Sequence, residues 1–455
     1  MLHNNFPTNR GRTRPFVALA AALLTTATVI GANAPSATAT TVNPSTPGAV
    51  SVRAYGAVGD ASRDDTAAFL KAEDAALKAS LRFSAGPTGA AQAVVYVPPG
   101  TYRLICLAFR SNIRMEVDAA AVLEQAGGRY VTTKDSTAPL INWDGPAGSP
   151  LTNVTLIGVN QSTGGVKAAA DPVFPGWSVA GDFTFNLDPA ATDASVKVAG
   201  VQALNVTGFL IQNVFSIQND TEPATLPPTE DGWWPSTRKA ALGLRERADT
   251  PPDGSIYYDP HNGTVNNWYN VHGPKGFGPN QVNAGHNLSF HHIFSQGGTA
   301  LRLETDASQG KSFAAELRGV NADDIAGLKC NRAVSFSPHS QFNYDVHVTS
   351  VQALSCAQGV VESIDETNKR PAGAFVNSTI ANVSVTGGAG AQNGTAPNGL
   401  WSIGTSQKAF AKDKSRQATW SVEYGAGSYS CGGTFLMTSD LIRTASGLVA
   451  PACQP

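Results

Sequence analysis

The sequence predicts an all-β fold, a parallel β-helix in which short strands stack coil upon coil into one solenoid with a capping helix at its N-terminal end. Three observations predict it: an apolar spacing that recurs along the chain, a composition suited to short strands and tight turns, and an amphipathic helical segment ahead of the first coils.

The recurring spacing is apolar-x-apolar-x-x-apolar. It occurs at Val154/Leu156/Val159, Phe209/Ile211/Val214, Leu288/Phe290/Ile293, Ala315/Leu317/Val320 and Val346/Val348/Val351, with a degenerate copy at Ser378/Ile380/Val383. Residues i and i+2 of a strand share a face, so each copy reads as a strand burying one face before a bend. The last three intervals are 27, 31 and 32 residues, which suits stacked repeats, and the earlier ones of 55 and 79 read as two and three turns.

The composition agrees with this reading. The chain has 45 Gly and only 15% charged residues, with many Val, Thr, Ser and Asn to fill strands and turns. A net charge of −2 argues against a bulk electrostatic partner such as nucleic acid, which usually needs a basic face, so any polyanion would have to be held by a local cluster.

Export decides which residues belong to the fold. Arg10, Arg12 and Arg14 precede an apolar run from Phe16 to Ile30, and both Ala32-Asn33-Ala34 and Ala37-Thr38-Ala39 suit a small-x-small cleavage site. The run makes about 22 Å of helix, short of the roughly 30 Å hydrocarbon core, which disfavours a membrane anchor. A signal peptide over residues 1–39 is therefore expected to be removed, leaving a secreted, extracellular protein with no membrane association in its mature form. The solenoid is expected over 40–400, with a long loop insertion at 219–285 and a segment 401–455 that closes or extends it.

The helix is expected to begin after Asp64-Asp65, either of which can cap it, with Phe69, Ala72, Ala76 and Leu77 as its apolar stripe. It lies between Gly56-Ala57-Val58-Gly59-Asp60 and Val97-Pro98-Pro99-Gly100-Thr101-Tyr102. This order resembles the N-terminal signature of pectin-lyase-like β-helices. The resemblance implies a right-handed parallel β-helix whose first coil is capped by the helix, and it says little about function, because many activities share the fold.

A second strand per coil can be aligned without gaps in three stretches, from Ala300 to Asp306, from Ala333 to His339 and from Gly359 to Asp365. Leu301 and Leu303 then face inward, while Arg302, Glu304 and Asp306 face outward as one surface constellation, with His339 one coil on beside Asp306. Carboxylates at i and i+2 of a strand start from backbone positions about 6.6 Å apart. Their carboxyl groups can therefore reach the roughly 6.5–9.5 Å separation of an inverting glycosidase. Taken alone, such a pair is more often an ordinary solvated strand edge.

The run Leu301-Arg302-Leu303-Glu304-Thr305-Asp306, with Gln281 before it and His339 after it, resembles the catalytic centre of the iota-carrageenases, glycoside hydrolase family 82. That resemblance implies an inverting hydrolysis of β-1,4 bonds in a sulfated galactan, with Glu304 as general acid, Asp306 as general base, Gln281 placing the water and His339 assisting. Like charge beside Glu304 favours one protonated carboxyl, as a general acid requires. Cations to meet sulfate are available in Arg238, Lys239, Arg245, Lys275, Arg302, Lys329 and Arg332, although each taken singly suits an ordinary solvated residue. Trp233, Trp234, Tyr257, Tyr258, Trp268 and Tyr269 fall in the expected insertion, where aromatic faces can stack on sugars or simply pack on the solenoid.

Other constellations are weaker. His272, His286, His291 and His292 lack clean zinc spacing. Asp323-Asp324 is similar to the paired aspartates of polygalacturonases, but that family's N-T-D, G-H-G and R-I-K motifs are missing, and no pectate-lyase arrangement of calcium and arginine is evident. No cofactor is expected to be required, although loops could hold calcium or another ion. Cys330 and Cys356 fall at equivalent positions of adjacent coils and should pair, Cys431 and Cys453 could close the C-terminal segment, and Cys106 is left as a buried free thiol. A monomer is expected, with a polysaccharide as its partner. A pectin-type polysaccharide hydrolase or lyase on the same fold, or a non-catalytic polysaccharide-binding solenoid, are the competing readings.

Overall fold

The computed structural model describes residues 46–79, 82–83, 86–125, 137–160, 182–187, 197–218, 241–247, 249, 256, 258–273, 278–305, 316–338, 341–356, 358–362 and 374–386, and the backbone of strands at 401–403, 422–424, 429–432, 442–444 and 447–449. The expected signal peptide, residues 1–39, lies outside the described residues, and so does most of 401–455. Among the described residues no helix is long and apolar enough to cross a membrane.

Three parallel ladders run the length of the described solenoid. The first joins Thr137–Asp144, the start of Lys197–Ile217, Leu242–Leu244, Asn280–Val282, Thr299–Glu304, Arg332–Ser337, Gln358–Glu362 and Trp401–Ile403. The second joins Ala93–Val97, Ile113–Asp118, Leu151–Val159, the middle of Lys197–Ile217, Pro260–Gly273, Gly285–Gly297, Leu317–Leu328, Phe342–Leu354 and Ser378–Thr386. The third begins with Asp60–Asp64, Gly100–Leu104, Ala121–Gln125 and Phe183–Asn186, then continues along the far ends of the long strands. The chain is a right-handed parallel β-helix.

A stack of left-handed residues makes the bend between the second and third ladders. Asn213, Asn267, His292, Asp324, Ser350 and Asn382 all have φ between 53° and 59°, and the strand register sets them one above another. Asn tolerates this conformation better than other side chains and can also hydrogen-bond along the stack. Asn267 Nδ2 donates to Asn213 Oδ1 at 2.9 Å.

The register corrects the expected repeat. Leu288 pairs with Val320, Phe290 with Ala322 and Ile293 with Ile325, so the copy in that coil is Val320/Ala322/Ile325 rather than Ala315/Leu317/Val320. Val154 pairs directly with Phe209, so their spacing is one turn carrying a long loop. The following interval holds two turns, because Gly263/Val265/Trp268 pairs with Phe209/Ile211/Val214 on one side and Leu288/Phe290/Ile293 on the other. The stretch 219–285 is thus not one loop insertion, since it supplies Leu242–Leu244, Pro260–Gly273 and Asn280–Val282 to the ladders.

Inward residues of all three ladders meet in one core that includes Val154, Phe209, Trp268, Leu301, Leu303, Phe336 and Val348. Each such side chain contributes roughly 1.5–3 kcal/mol by leaving water. The helix Thr66–Lys78 caps this core at one end with Phe69, Ala72 and Ala76 buried. Asp65 stands at its N-cap, but the Asp64 carboxylate is the one that accepts the Thr66 N–H, at 2.9 Å, while Asp65 accepts the Val58 N–H.

Cys330 and Cys356 form a disulfide between adjacent coils, with Cα atoms 4.3 Å apart. Gly327 lies against it, where a Cβ would stand 2.6 Å from Cys330 Sγ. Cys106 is a free thiol, partly rather than wholly buried, and burial pushes it up to about 11. The expected pairing of Cys431 with Cys453 lies outside the described residues.

Candidate active site

The first ladder stacks short strands, one row of whose side chains points away from the core. Gly243, Gln281, Arg302, Ser335 and Val361 are register partners in successive coils. Two residues further along the same strands come Asn283, Glu304 and Ser337, of which Glu304 and Ser337 are paired. Neighbouring coils lie about 4.8 Å apart, close enough for side chains of consecutive coils to bond directly. The gap-free alignment of Ala300, Ala333 and Gly359 agrees with this register.

Glu304 is held from two sides. Gln281 Nε2, from the preceding coil, donates to Glu304 Oε2 at 2.8 Å. Arg302, two residues earlier on its own strand, forms an ion pair with Oε1 through Nη2. A carboxylate with a separate donor on each oxygen is fixed in one rotamer, and the charged donor makes the stronger bond. The backbone is fixed as well. Asn283 Nδ2 donates to the Glu304 carbonyl at 2.6 Å, the Thr305 N–H donates to the Ser337 carbonyl at 3.1 Å, and the Thr305 hydroxyl donates to the Pro338 carbonyl at 3.1 Å.

The constellation is not the exposed strand surface that alternation alone implies. Arg302 and Glu304 are outward on their strand yet only 3% and 5% exposed, and Gln281 and Asn283 are equally buried. The charged groups therefore interact in a less polar setting than water, where pairing counts for more.

Arg332, on the following coil, stands partly buried near both Arg302 and Glu304, with Nη1 donating to Ser335 Oγ at 3.3 Å. Burial pushes its guanidinium down to about 10, Arg302 adds to that, and Glu304 opposes it. Arg245 follows Leu244, in the line that continues through Asn283 to Glu304, and its side chain lies beside Gly243. The guanidinium groups of Arg302 and Arg332 thus stand near one carboxylate, with Arg245 two coils back along the same ladder, an environment suited to anions.

Asp306, His339 and Lys275 lie outside the described residues, as do Arg238, Lys239, Trp233 and Trp234. Trp268 and Tyr269 are corrections. Trp268 is fully buried in the core, between Val214 and Ile293, with Nε1 donating to Ser216 Oγ at 2.9 Å. Tyr269 is buried on the other face of that strand, stacked on Phe294 with ring centroids 4.1 Å apart. Neither offers a face to a sugar.

Of His272, His286, His291 and His292, the last three pair with carboxylates. His291 bonds Asp323, His292 Nδ1 lies 2.7 Å from Asp324, and His286 lies between Asp259 at 2.7 Å and Glu316 at 3.3 Å. Asp323 and Asp324 therefore face histidines one coil away and do not form a catalytic pair. Among the described residues no three His, Cys, Asp or Glu side chains are grouped to hold a metal ion.

Asn283 and Ser337 were missed by sequence reasoning. Asn283 follows Gln281 by two residues, so the alternation that faced Glu304 outward could have found it. Ser337 needed only the alignment of Glu304 with the next coil.

Fold and site together define a parallel β-helix protein with a carboxylate-centred, cation-flanked polar site on one flank of the solenoid. A family model described as rhamnogalacturonase A/epimerase, pectate lyase-like, matches residues 49–106, the region of the capping helix and first coils. The chain is similar to an iota-carrageenase of Zobellia galactanivorans, at 24% identity over 291 residues, covering 62% of this chain and 50% of that one. It is also similar to an iota-carrageenase of Alteromonas macleodii, at 25% identity over 307 residues, covering 67% of this chain and 50% of that one. The matched stretches span about half the length of these relatives. Among solved structures, an iota-carrageenase of family GH82 from A. fortis superposes with a TM-score of 0.62 at 17% identity, covering 91% of this chain and 93% of that one. An iota-carrageenase complexed to iota-carrageenan fragments superposes with a TM-score of 0.60 at 16% identity, covering 91% and 95%. At such identities the superpositions are a likeness of fold.

Proposed function

We propose that this chain is an exported glycoside hydrolase that cuts a sulfated, iota-carrageenan-like galactan at β-1,4 bonds by an inverting general acid/base mechanism. The observation that carries the reading is the buried carboxylate of Glu304, fixed by Gln281 and Arg302 across two adjacent coils. It sits within the run that resembles the iota-carrageenase centre, and the named relatives support the same class, while the superposed structures support its fold.

In this reading Glu304 protonates the leaving oxygen, Asp306 activates a water on the opposite ring face, Gln281 helps place that water and His339 assists the substrate. Arg302 orients Glu304, while Arg332, Arg245 and Lys275 meet sulfate esters. A guanidinium suits this task because its planar donors match the oxygens of sulfate as they do those of phosphate or carboxylate. Export is supported by the apolar run after Arg10, Arg12 and Arg14 and by the Cys330–Cys356 disulfide, a bond favoured in oxidising compartments.

The test is hydrolysis of a panel of sulfated and uronic polysaccharides, read as new reducing ends. A lyase would instead release unsaturated, ultraviolet-absorbing products, and the anomeric form of the first product, followed by NMR, reports inversion. Glu304→Gln is expected to lower kcat by about 10²–10⁴-fold, the range of a lost general acid, with an unchanged circular dichroism spectrum. Wild-type activity in that variant would remove the assignment.

A further inference from the structure

We infer that Asn283 reads a free hydroxyl on the sugar bound beside Glu304, and so makes the site reject a sulfate ester at that position. The inference rests on the reading of the chain as a galactan hydrolase and deepens it.

Asn283 lies one residue past the strand Asn280–Val282, on the same face as Gln281. Its backbone N–H donates to the Leu244 carbonyl at 2.7 Å, and its Nδ2 donates to the Glu304 carbonyl at 2.6 Å. A backbone carbonyl can only accept, so the orientation of this amide is forced and Oδ1 is the end left over. That oxygen is buried and finds no partner among the described residues. Gln281 repeats the arrangement, with Nε2 committed to Glu304 and Oε1 buried without a partner among the described residues.

Two buried acceptor oxygens therefore lie two residues apart on one strand, next to the carboxylate. Each is unfavourable while it lacks a donor. Whatever fills the site must bring donors, and a sugar hydroxyl does so. A sulfate ester has only acceptor oxygens and a negative charge. Over Asn283 it would face two amide carbonyls and Glu304, whereas on the coil that follows Glu304 it would meet Arg332. The strands thus sort the two substituents of a partly sulfated sugar, hydroxyl to one coil and sulfate to another. A site built to hydrogen-bond a hydroxyl discriminates strongly against a ligand that lacks it.

The test compares kcat/KM on the galactan that the wild type cuts and on the same polymer chemically oversulfated. Asn283→Ala is expected to lower kcat/KM on the first at least about 10-fold and to narrow the ratio between the two polymers by a similar factor. Asn283→Asp keeps acceptor oxygens but loses the donor to the Glu304 carbonyl, and its added charge opposes sulfate, so the ratio is expected to be retained or widened. An unchanged kcat/KM in Asn283→Ala, an equal loss on both polymers, or a narrowed ratio in Asn283→Asp would each overturn the inference. Should Asn283→Ala not fold, the ratio in Asn283→Asp decides alone. If the wild type cuts no galactan, the hydrolase reading fails, and the inference is then read from gel retardation of the wild type and Asn283→Ala by the same two polymers. A retardation ratio that shifts in Asn283→Ala supports it; an unshifted ratio, or no retardation by either polymer, overturns it.

Discussion

Asn280 shares a strand with Gln281 but faces the core, between Leu242 and Leu301 of the adjacent coils, and is fully buried. Neither atom of its amide has a partner among the described residues. A buried amide without partners costs about 1–3 kcal/mol. Asn280→Val, which adds little volume and suits a strand, is expected to stabilise the protein by about 1–2 kcal/mol, read as a higher denaturant midpoint. A lower midpoint would indicate that a buried water satisfies the amide. Glu73 raises the same issue with a charge. It is buried in the capping helix, with Oε2 accepting the Arg110 N–H at 3.1 Å and Oε1 without a partner among the described residues. Burial pushes its carboxyl up to about 8 against the hydrogen bond and charge of Arg110, from an ordinary value of 4.5. The folded state thus holds a proton that the unfolded chain releases above 4.5, so stability falls as pH rises from 4.5 through about 8. Glu73→Gln keeps an acceptor for Arg110, and its thermal midpoint should exceed that of the wild type at pH 8 by a margin that shrinks toward pH 5. An equal margin at both pH values would remove titration as the cause.

The elements that bear the register are the stacked bends, and Asn267 tests them. It holds φ 55° and bonds Asn213 along the stack. Asn267→Gly keeps the conformation and loses the bond, whereas Asn267→Ala loses both. The alanine variant should therefore be the less stable of the two, by about 1 kcal/mol, since a left-handed residue with a Cβ costs roughly 1–2 kcal/mol. Equal stability would mean that the bend imposes no strain. The same elements show what could be read from sequence. Strand alternation and the gap-free alignment of Thr299–Glu304 with the next two coils were legible, and with them the shared face of Arg302 and Glu304, whereas Gln281 was reached only through the resemblance to the iota-carrageenases. The coil of Gly263, Val265 and Trp268 was not, because its first apolar slot is empty: a Cβ on Gly263 would lie 2.0 Å from Phe209 Cζ, so the ring from the preceding coil fills that space. With the repeat broken there, Pro260–Gly273 passed for loop and Trp268 for a groove wall. Val320/Ala322/Ile325 was masked differently, by a second run of the same spacing five residues earlier. The burial of Glu304 was beyond sequence reasoning, because alternation assigns a side of the sheet and not what covers it.

At the scale of the whole molecule, coils are tied along the axis by charge as well as by backbone ladders. His286 joins three successive coils, lying between Asp259 on one neighbour and Glu316 on the other, with His261 beside Asp259 and Arg318 beside Glu316. Burial alone would lower the His286 imidazole, but its bonds to Asp259 and Glu316 outweigh that and push it up to about 9, from an ordinary value of 6.5. Being raised on folding, the group contributes stability that is full below 6.5 and is lost as pH rises through about 9. Glu73 acts in the same direction over its own, lower window, so together the two groups make alkaline pH the weak side of the solenoid. Glu316 works at the other end: burial would raise its carboxyl, but His286 and Arg318 hold it below the ordinary 4.5, and its contribution persists into acid. The thermal midpoint of the wild type is therefore expected to fall between pH 6.5 and 9.5, and His286→Gln, which is neutral throughout, should be less stable at pH 6 and lose less across that interval. Parallel pH profiles for the two proteins would show that the imidazolium does not tie the coils together.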